Sequence, residues 1–241
     1  MQRARWPAVL GSGSAAGRSY DRVMHVVVAG GHGKIALRLL RLLAERGDRA
    51  CGLIRNPSHA PDLEAVGGEP VLADIEQLDD LTPYVEGADA VVFAAGAGRG
   101  SGAARKQTVD LGAAVKLIEA AQRANVDRYV MVSSVGAHDP ANASEAMRPY
   151  LEAKAQADGE LVSSGLDYTI VRPGSLTDER GTGRVELSTQ LGRRGPITRD
   201  DAAAILLGCL DMPETTGLTF EAFNGDEPID AALRTLADGS R

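Results

Sequence analysis

The sequence has few aromatic residues, few cysteines and no long apolar run. Aromatic side chains make up 4% of the 241 residues, with a single tryptophan. A core must therefore be built from Ala, Val, Leu and Ile, which together with the few other apolar types reach 44% of the chain. That aliphatic bias suits strands buried on both faces between helix layers. The two cysteines, Cys51 and Cys209, form no CxxC and no Cys/His spacing. This argues against a disulfide scaffold and a zinc site, and a reducing cytoplasm is the simplest setting. No apolar run approaches the roughly 18 residues of a membrane span. The formal net charge is −7; a non-specific nucleic-acid binder would carry a basic surface instead. The small aromatic content offers no sticky patch, so a monomer is expected.

Residues 1–23 differ from the rest, with four arginines and a Gly/Ser/Ala stretch. They read as a disordered extension or the result of an upstream start codon, because Met24 directly precedes the first strand pattern. An Arg-rich, acid-poor transit peptide is the other reading.

From Met24 onward strand and helix patterns alternate. Strands are expected at His25–Ala29, Ala50–Ile54, Glu69–Leu72, Ala90–Ala94, Arg128–Ser133, Asp167–Val171 and Leu218–Phe223. Helices are expected at Ile35–Glu45, Pro61–Val66, Leu78–Val85, Thr108–Ala124, Tyr150–Ser163, Asp200–Leu210 and Ile229–Leu236. Residues 174–197 look irregular, with a short strand at Val185–Leu187. Such alternation implies parallel βαβ units and an α/β fold. The expected architecture is a Rossmann-type doubly wound parallel sheet of six or seven strands over residues 24–238. Residues 174–238 would form a small C-terminal, substrate-side subregion of that single domain.

The first strand–helix junction reads V-A-G-G-H-G-K-I-A. Gly30 permits a tight turn, Gly33 lets the backbone approach a pyrophosphate, and Ala36 keeps the helix close to the sheet. Gly31, His32, Lys34 and Ile35 complete the phosphate-facing loop. The second strand ends in Leu53-Ile54-Arg55-Asn56. A site for NAD would place Asp or Glu here; arginine favours the 2′-phosphate of NADP. NADP(H) is thus the expected cofactor, with NAD(H) the alternative.

These residues, with LADIEQLDDL (72–81), ADAVVFAAGAG (88–98), TVDLGA (108–113), VDRYVMVSSVGAH (126–138), SGLDYTIVRPGSLTD (164–178) and ITRDDAAAILLGCL (197–210), give the chain its family likeness. It resembles the atypical short-chain dehydrogenase/reductases, the NAD(P)H-binding set related to biliverdin reductase B and the NmrA-like proteins. The resemblance implies that Asp74 and Ile75 lie along the adenine. Ala94, Ala95 and Gly96 would pass under the ribose and pyrophosphate. Ser133 and Ser134 would face the nicotinamide, and Pro173 and Gly174 would close its far side. Gly31 and His32 depart from the commoner GATG form without removing Gly30 or Gly33.

Tyr150 and Lys154 form Y-x-x-x-K, one helical turn apart and on one face. In dehydrogenases of the wider family this pair moves the proton that accompanies hydride transfer, and the lysine also holds the nicotinamide ribose. Ser134 is the candidate to orient a substrate carbonyl, with Tyr150, Lys154 and Ser134 as the catalytic set. Asp110 could face the cleft, Arg172 reads as structural, and Asp178, Glu179 and Arg180 read as a solvated loop. The function expected is an NADP(H)-dependent oxidoreductase acting on a small carbonyl, quinone or flavin-like molecule. A non-catalytic nucleotide sensor of the NmrA-like type is the alternative. A nucleotide-sugar epimerase fits less well, because the stretch after the sixth strand is short.

Overall fold

A computed structural model of the chain describes residues 23–98 and 100–239; the expected N-terminal extension, apart from Val23, lies outside them. In chain order the elements are β1 (His25–Ala29), α1 (Lys34–Arg46), β2 (Arg49–Ile54), α2 (Ala60–Glu64), β3 (Glu69–Leu72), α3 (Thr82–Val85) and β4 (Ala90–Phe93). Next come α4 (Ala103–Arg105), a π-helical stretch at Lys106–Ala113, α5 (Ala114–Ala124), β5 (Arg128–Val132), α6 (Arg148–Ser163) and β6 (Asp167–Pro173). The last elements are β7 (Ser175–Thr177), β8 (Arg184–Ser188), β9 (Pro196–Thr198), α7 (Arg199–Asp211), β10 (Leu218–Asn224), β11 (Glu227–Pro228) and α8 (Ile229–Asp238).

Nine strands form one sheet in the order β11-β8-β10-β6-β5-β4-β1-β2-β3. From β3 to β10 every neighbouring pair is parallel, so seven strands run one way, and β8 is antiparallel to β10. This is the doubly wound Rossmann sheet. Its strand order reverses between β1 and β4, where such sheets open a ligand crevice at the strands' carboxyl ends.

The β-branched strands bury both faces. Val26 and Val28 of β1 pack with α1 and α7, while Val27 and Ala29 pack on the other side with α5. In α1, Ile35, Ala36, Leu39, Leu40 and Leu43 are buried at helical spacing, and Gly47 closes the helix with φ 89°.

Three segments depart from the sequence expectations. The helix expected at Leu78–Val85 begins only at Thr82, because Asp80 accepts hydrogen bonds from the Thr82 amide and hydroxyl and holds the preceding residues in a turn. The helix expected from Thr108 opens as the π-helical stretch, with Asp110 buried inside it. Residues 174–197 are less irregular than expected: β7 and β9 pair in parallel as a second small sheet beside the cleft.

Leu39 is fully buried whereas Leu72 on the sheet edge is 60% exposed. Leu39→Ala should lower stability by about 3 kcal/mol, a Tm drop of roughly 6–12 °C. Leu72→Ala should stay within about 0.5 kcal/mol. Thermal unfolding of the three proteins checks the pair.

Candidate functional site

The turn from β1 to α1 is welded to its neighbours at backbone distance. The Gly31 amide donates to Leu53 O of β2 at 3.0 Å, and a Cβ on Gly31 would lie 2.6 Å from Gly52 Cα. Gly30 has φ +80°, and a Cβ there would meet Ala95 Cα at 2.7 Å. Only glycine fits either position without moving a strand. The turn delivers the start of α1 to the crevice with no side chain capping its first amides and no acidic residue in its first turn. Free N–H groups and the positive end of the helix dipole make this an anion cradle.

Gly33, Lys34 and Ile35 form one wall of an open cleft of about 1410 Å³. The same cleft is lined by Ala94, Ala95 and Gly96, by Ser133 and Ser134, by Tyr150 and Lys154, and by Pro173 and Gly174. Thus most of the residues singled out from sequence meet in one place. Gly30, Gly31, His32, Arg55, Asn56, Asp74 and Ile75 are not part of this wall. Arg55 and Asn56 follow β2, and Asp74 and Ile75 follow the adjacent β3. Arg55 is exposed and 3.7 Å from Glu76, and Asn56 accepts a hydrogen bond from the Ser58 amide. Hydrogen bonds from Thr108 hold the Glu76 carboxyl below the usual range, with Arg105 and Arg55 adding to the effect. His32 stacks on His59 with ring centroids 3.6 Å apart, and its Nε2 lies 2.7 Å from Asp62.

At the floor of the cleft Lys154 is buried. Its Nζ donates to Val132 O at 3.1 Å and lies 3.4 Å from Asp110 Oδ1. Asp110 is fully buried; its Oδ2 accepts from the Ala97 amide at 3.2 Å, and its Oδ1 has no hydrogen-bond partner. Asp110 Oδ1 has no accessible surface and faces the Lys154 ammonium, so this carboxylate holds the lysine at the cleft floor, where the ammonium suits a hydroxyl-bearing ligand. The sequence alone gives Asp110 no role. Its only signal was its place early in the long helix pattern, and the partner it needs is Lys154, on another helix.

The two serines divide the work. Ser133 donates its hydroxyl to buried Asp158 at 2.9 Å, so that hydroxyl is turned away from the cleft. Burial pushes the Asp158 carboxyl up, and Arg172, 2.9 Å away, opposes the shift. Ser134 is half-buried and donates only to Val135 O, at 3.2 Å. Tyr150 is half-buried with Lys106 Nζ 4.9 Å from its ring centre. Among the described residues no hydrogen bond joins Tyr150 to Ser134 or Lys154. Burial pushes the pKa of both cysteine thiols up to about 12, which keeps them protonated at neutral pH.

In the loop expected to be solvated, Glu179 and Arg180 are exposed, and Asp178, half-exposed, also makes ion pairs. Asp178 bridges Lys34 at the start of α1 and Arg199 at the start of α7, and Asp200 pairs with Arg38. These ion pairs fasten the C-terminal segment to the anion cradle. Lys34 and Asp178 are 144 residues apart, so no local pattern in the sequence announces this pair.

A family model described as NAD(P)H-binding matches residues 30–213. The chain belongs to this NAD(P)H-binding family. It is 40% identical over 215 residues to a Bacillus subtilis protein named uncharacterized sugar epimerase YhfK, covering 88% of this chain and 100% of that one. A solved structure from Bacillus halodurans, named for an NAD-dependent epimerase/dehydratase, superposes with a TM-score of 0.85 at 41% identity, covering 88% of this chain and 100% of its own. The oxidoreductase ylbE of Lactococcus lactis superposes with a TM-score of 0.79 at 27% identity, covering 89% and 97%. The matched span contains the anion cradle, the cleft floor and the Tyr150–Lys154 pair. Within this NAD(P)H-binding domain no described helix is long and apolar enough to cross a membrane, and no described group of three or more His, Cys, Asp or Glu could hold a metal ion.

The ion pairs across the cleft edge predict an acid-sensitive anchor. The Gly181 amide and Arg38 hold the Asp200 carboxyl below its ordinary value of 3.8, and the Lys34 hydrogen bond does the same for Asp178. A lowered folded-state value stabilises the fold fully above pH 3.8, and that contribution is lost as pH falls through the lowered value. Asp200→Asn should therefore flatten the fall of Tm between pH 5 and pH 2, measured by calorimetry against the wild type.

Proposed function

We propose that the protein is an NADP(H)-dependent reductase that transfers hydride to a small carbonyl, quinone or flavin-like substrate. The observation that carries this reading is the union, in one crevice, of an uncapped helix start and the Tyr150–Lys154–Ser134 set. The glycine turn, Lys34 and the first amides of α1 would hold the pyrophosphate. Arg55, at the place where an NAD site carries a carboxylate, would read the 2′-phosphate, with Asn56, Asp74 and Ile75 beside the adenosine. Lys154 would hold the nicotinamide ribose, whose hydroxyls can accept from its ammonium, with Asp110 fixing the lysine from behind. The bound cofactor supplies the hydride. Ser134 orients the substrate oxygen, and Tyr150 delivers the proton. Pro173 and Gly174 close the far side. The reading includes a monomer in the cytoplasm working on a small molecule, with neither nucleic acid nor membrane as partner.

A second reading, a non-catalytic nucleotide sensor of the NmrA-like type, draws on one observation. The Tyr150 hydroxyl has no hydrogen bond to Ser134 or Lys154 among the described residues, and Lys154 is engaged by Asp110. Catalytic hydrogen bonds are often long before substrate arrives, so this geometry does not displace the reductase reading. Epimerase and dehydratase are words carried by the names of two relatives. Such chemistry would use the same cofactor cradle with a different substrate side.

Titration calorimetry separates these points. The wild type should bind NADPH more tightly than NADH, and Arg55→Ala should weaken NADPH by roughly 10–100-fold while leaving NADH nearly unchanged. Equal affinities in both proteins would remove Arg55 as the phosphate reader. Tyr150→Phe should lower turnover of carbonyl or quinone probes by roughly 10²–10⁴-fold without loss of NADPH binding. Nucleotide binding without turnover of any probe would favour the sensor.

A further inference from the structure

One pair of titratable groups in the cleft is not used by the reading above. Glu221 lies in the middle of β10, 2% exposed, yet it lines the cleft. Its Oε2 accepts from the Leu191 amide at 2.9 Å. Its Oε1 is 3.5 Å from Nδ1 of His138, whose ring is 42% exposed and also lines the cleft. A mid-strand carboxylate without a charged partner is expensive to bury. Two cations of this region are committed elsewhere: Arg172, its register neighbour on β6, is held by Asp158, and Arg193 pairs with Glu186 and covers Phe223. Asp139, next to His138, is held by Asn142. Among the described residues, Glu221 meets one amide and one imidazole.

A buried carboxylate 3.5 Å from Nδ1 orients an imidazole with that nitrogen toward it. Nε2 is then the nitrogen left for whatever fills the cleft, and it hands over a proton when the ring carries both. His138 stands on the turn that starts at Ser134, with Ala137 N–H donating to Ser134 O. It comes to the cleft with Glu221 of β10, whereas Tyr150 comes with Lys106 of the π-helical stretch. Val135, Met147, Leu151 and Leu176 supply apolar wall between the polar groups.

We propose that His138, positioned by Glu221, is a second proton donor of the cleft and that the substrate is a conjugated acceptor of the enone or quinone type. The inference rests on the reductase reading. The acceptor takes hydride from the reduced nicotinamide at one carbon. The π pair displaced there moves through the conjugated system to the carbonyl oxygen. That oxygen takes the Nε2 proton of the His138 imidazolium, forming an O–H bond and leaving neutral imidazole, which water then reprotonates. The acceptor gains two electrons and the nicotinamide loses two. An aldehyde and a conjugated acceptor each take one hydride and one proton, but at different places: the aldehyde oxygen sits on the carbon that takes the hydride, where Tyr150 serves it, whereas the oxygen of an enone or quinone stands further along the conjugated system, where His138 serves it.

The test uses the full chain loaded with NADP⁺ and the oxyanion probe 4-nitrophenolate, whose binding is read from its visible absorbance. His138→Gln should weaken the probe at least about tenfold, with NADP⁺ affinity by calorimetry unchanged. Glu221→Gln keeps the acceptor for Leu191 and removes the charge. It should weaken the probe similarly and shift the ¹⁵N signal of His138 Nδ1, the nitrogen that faces the carboxylate, which a loop-clamping role alone would not do. In turnover, His138→Gln should lower kcat for menadione by roughly 10²-fold and leave 4-nitrobenzaldehyde little changed. Equal probe affinity in wild type and His138→Gln, or ring signals indifferent to Glu221→Gln, would overturn the proposal while NADP⁺ binding keeps the reductase reading standing. If the wild type binds no NADP⁺, both fall together.

Discussion

The structure turns on the backbone contact between the β1–α1 turn and the two strands that flank it. Gly31 rests on Gly52 of β2 and Gly30 on Ala95 after β4, both closer than any side chain allows. That packing sets where α1 begins, and with it where unpaired amides face the crevice. The crevice itself follows from sheet order, since the chain leaves β1 toward β2 and β3 and later returns to its other side with β4, β5 and β6. Strands buried on both faces hold these carboxyl ends in a fixed row. The anion cradle, the Ala94–Gly96 segment and Ser134 therefore stand along one edge because of the core beneath them.

A second constraint acts from the C-terminal side. Asp178 reaches Lys34 and Arg199, Asp200 reaches Arg38, and Asp201 accepts from the Thr182 and Gly183 amides. Exposed pairs of this kind contribute little singly. Their use here is geometric: they hold residues 174–201 against the cofactor side of the cleft. The buried groups are a different matter. Lys154 with Asp110, and Arg172 with Asp158, lie where losing one partner would strand a charge. They set the floor on which Ser134 and Tyr150 stand.

Much of this was legible in the sequence because it is written in short-range patterns. HVVVA, the glycines that follow it and the spacing of Ile35, Leu39, Leu40 and Leu43 announce a strand, a phosphate turn and an amphipathic helix. Y-x-x-x-K places Tyr150 and Lys154 on one face of α6, and both line the cleft. What escaped depends on contacts between distant residues. Asp110 gains meaning only beside Lys154, Glu221 only beside His138, and Asp178 only beside Lys34. β7 and β9 are three residues each and pair with one another across the intervening chain, so neither carries a periodic signal. Ser133 and Ser134 look alike in sequence, and only the position of Asp158 separates them.

The central claim is that the glycine turn and the start of α1 hold a dinucleotide in the cleft. The most direct measurement is NADPH binding to the wild type and to Gly31→Val, followed by the fluorescence of the nicotinamide, with thermal unfolding to show that each protein is folded. Binding to the wild type should be saturable and one-to-one, with none to a folded Gly31→Val, whose side chain would push the turn away from Gly52. Undiminished binding to that variant, or no binding to the wild type, would contradict the claim.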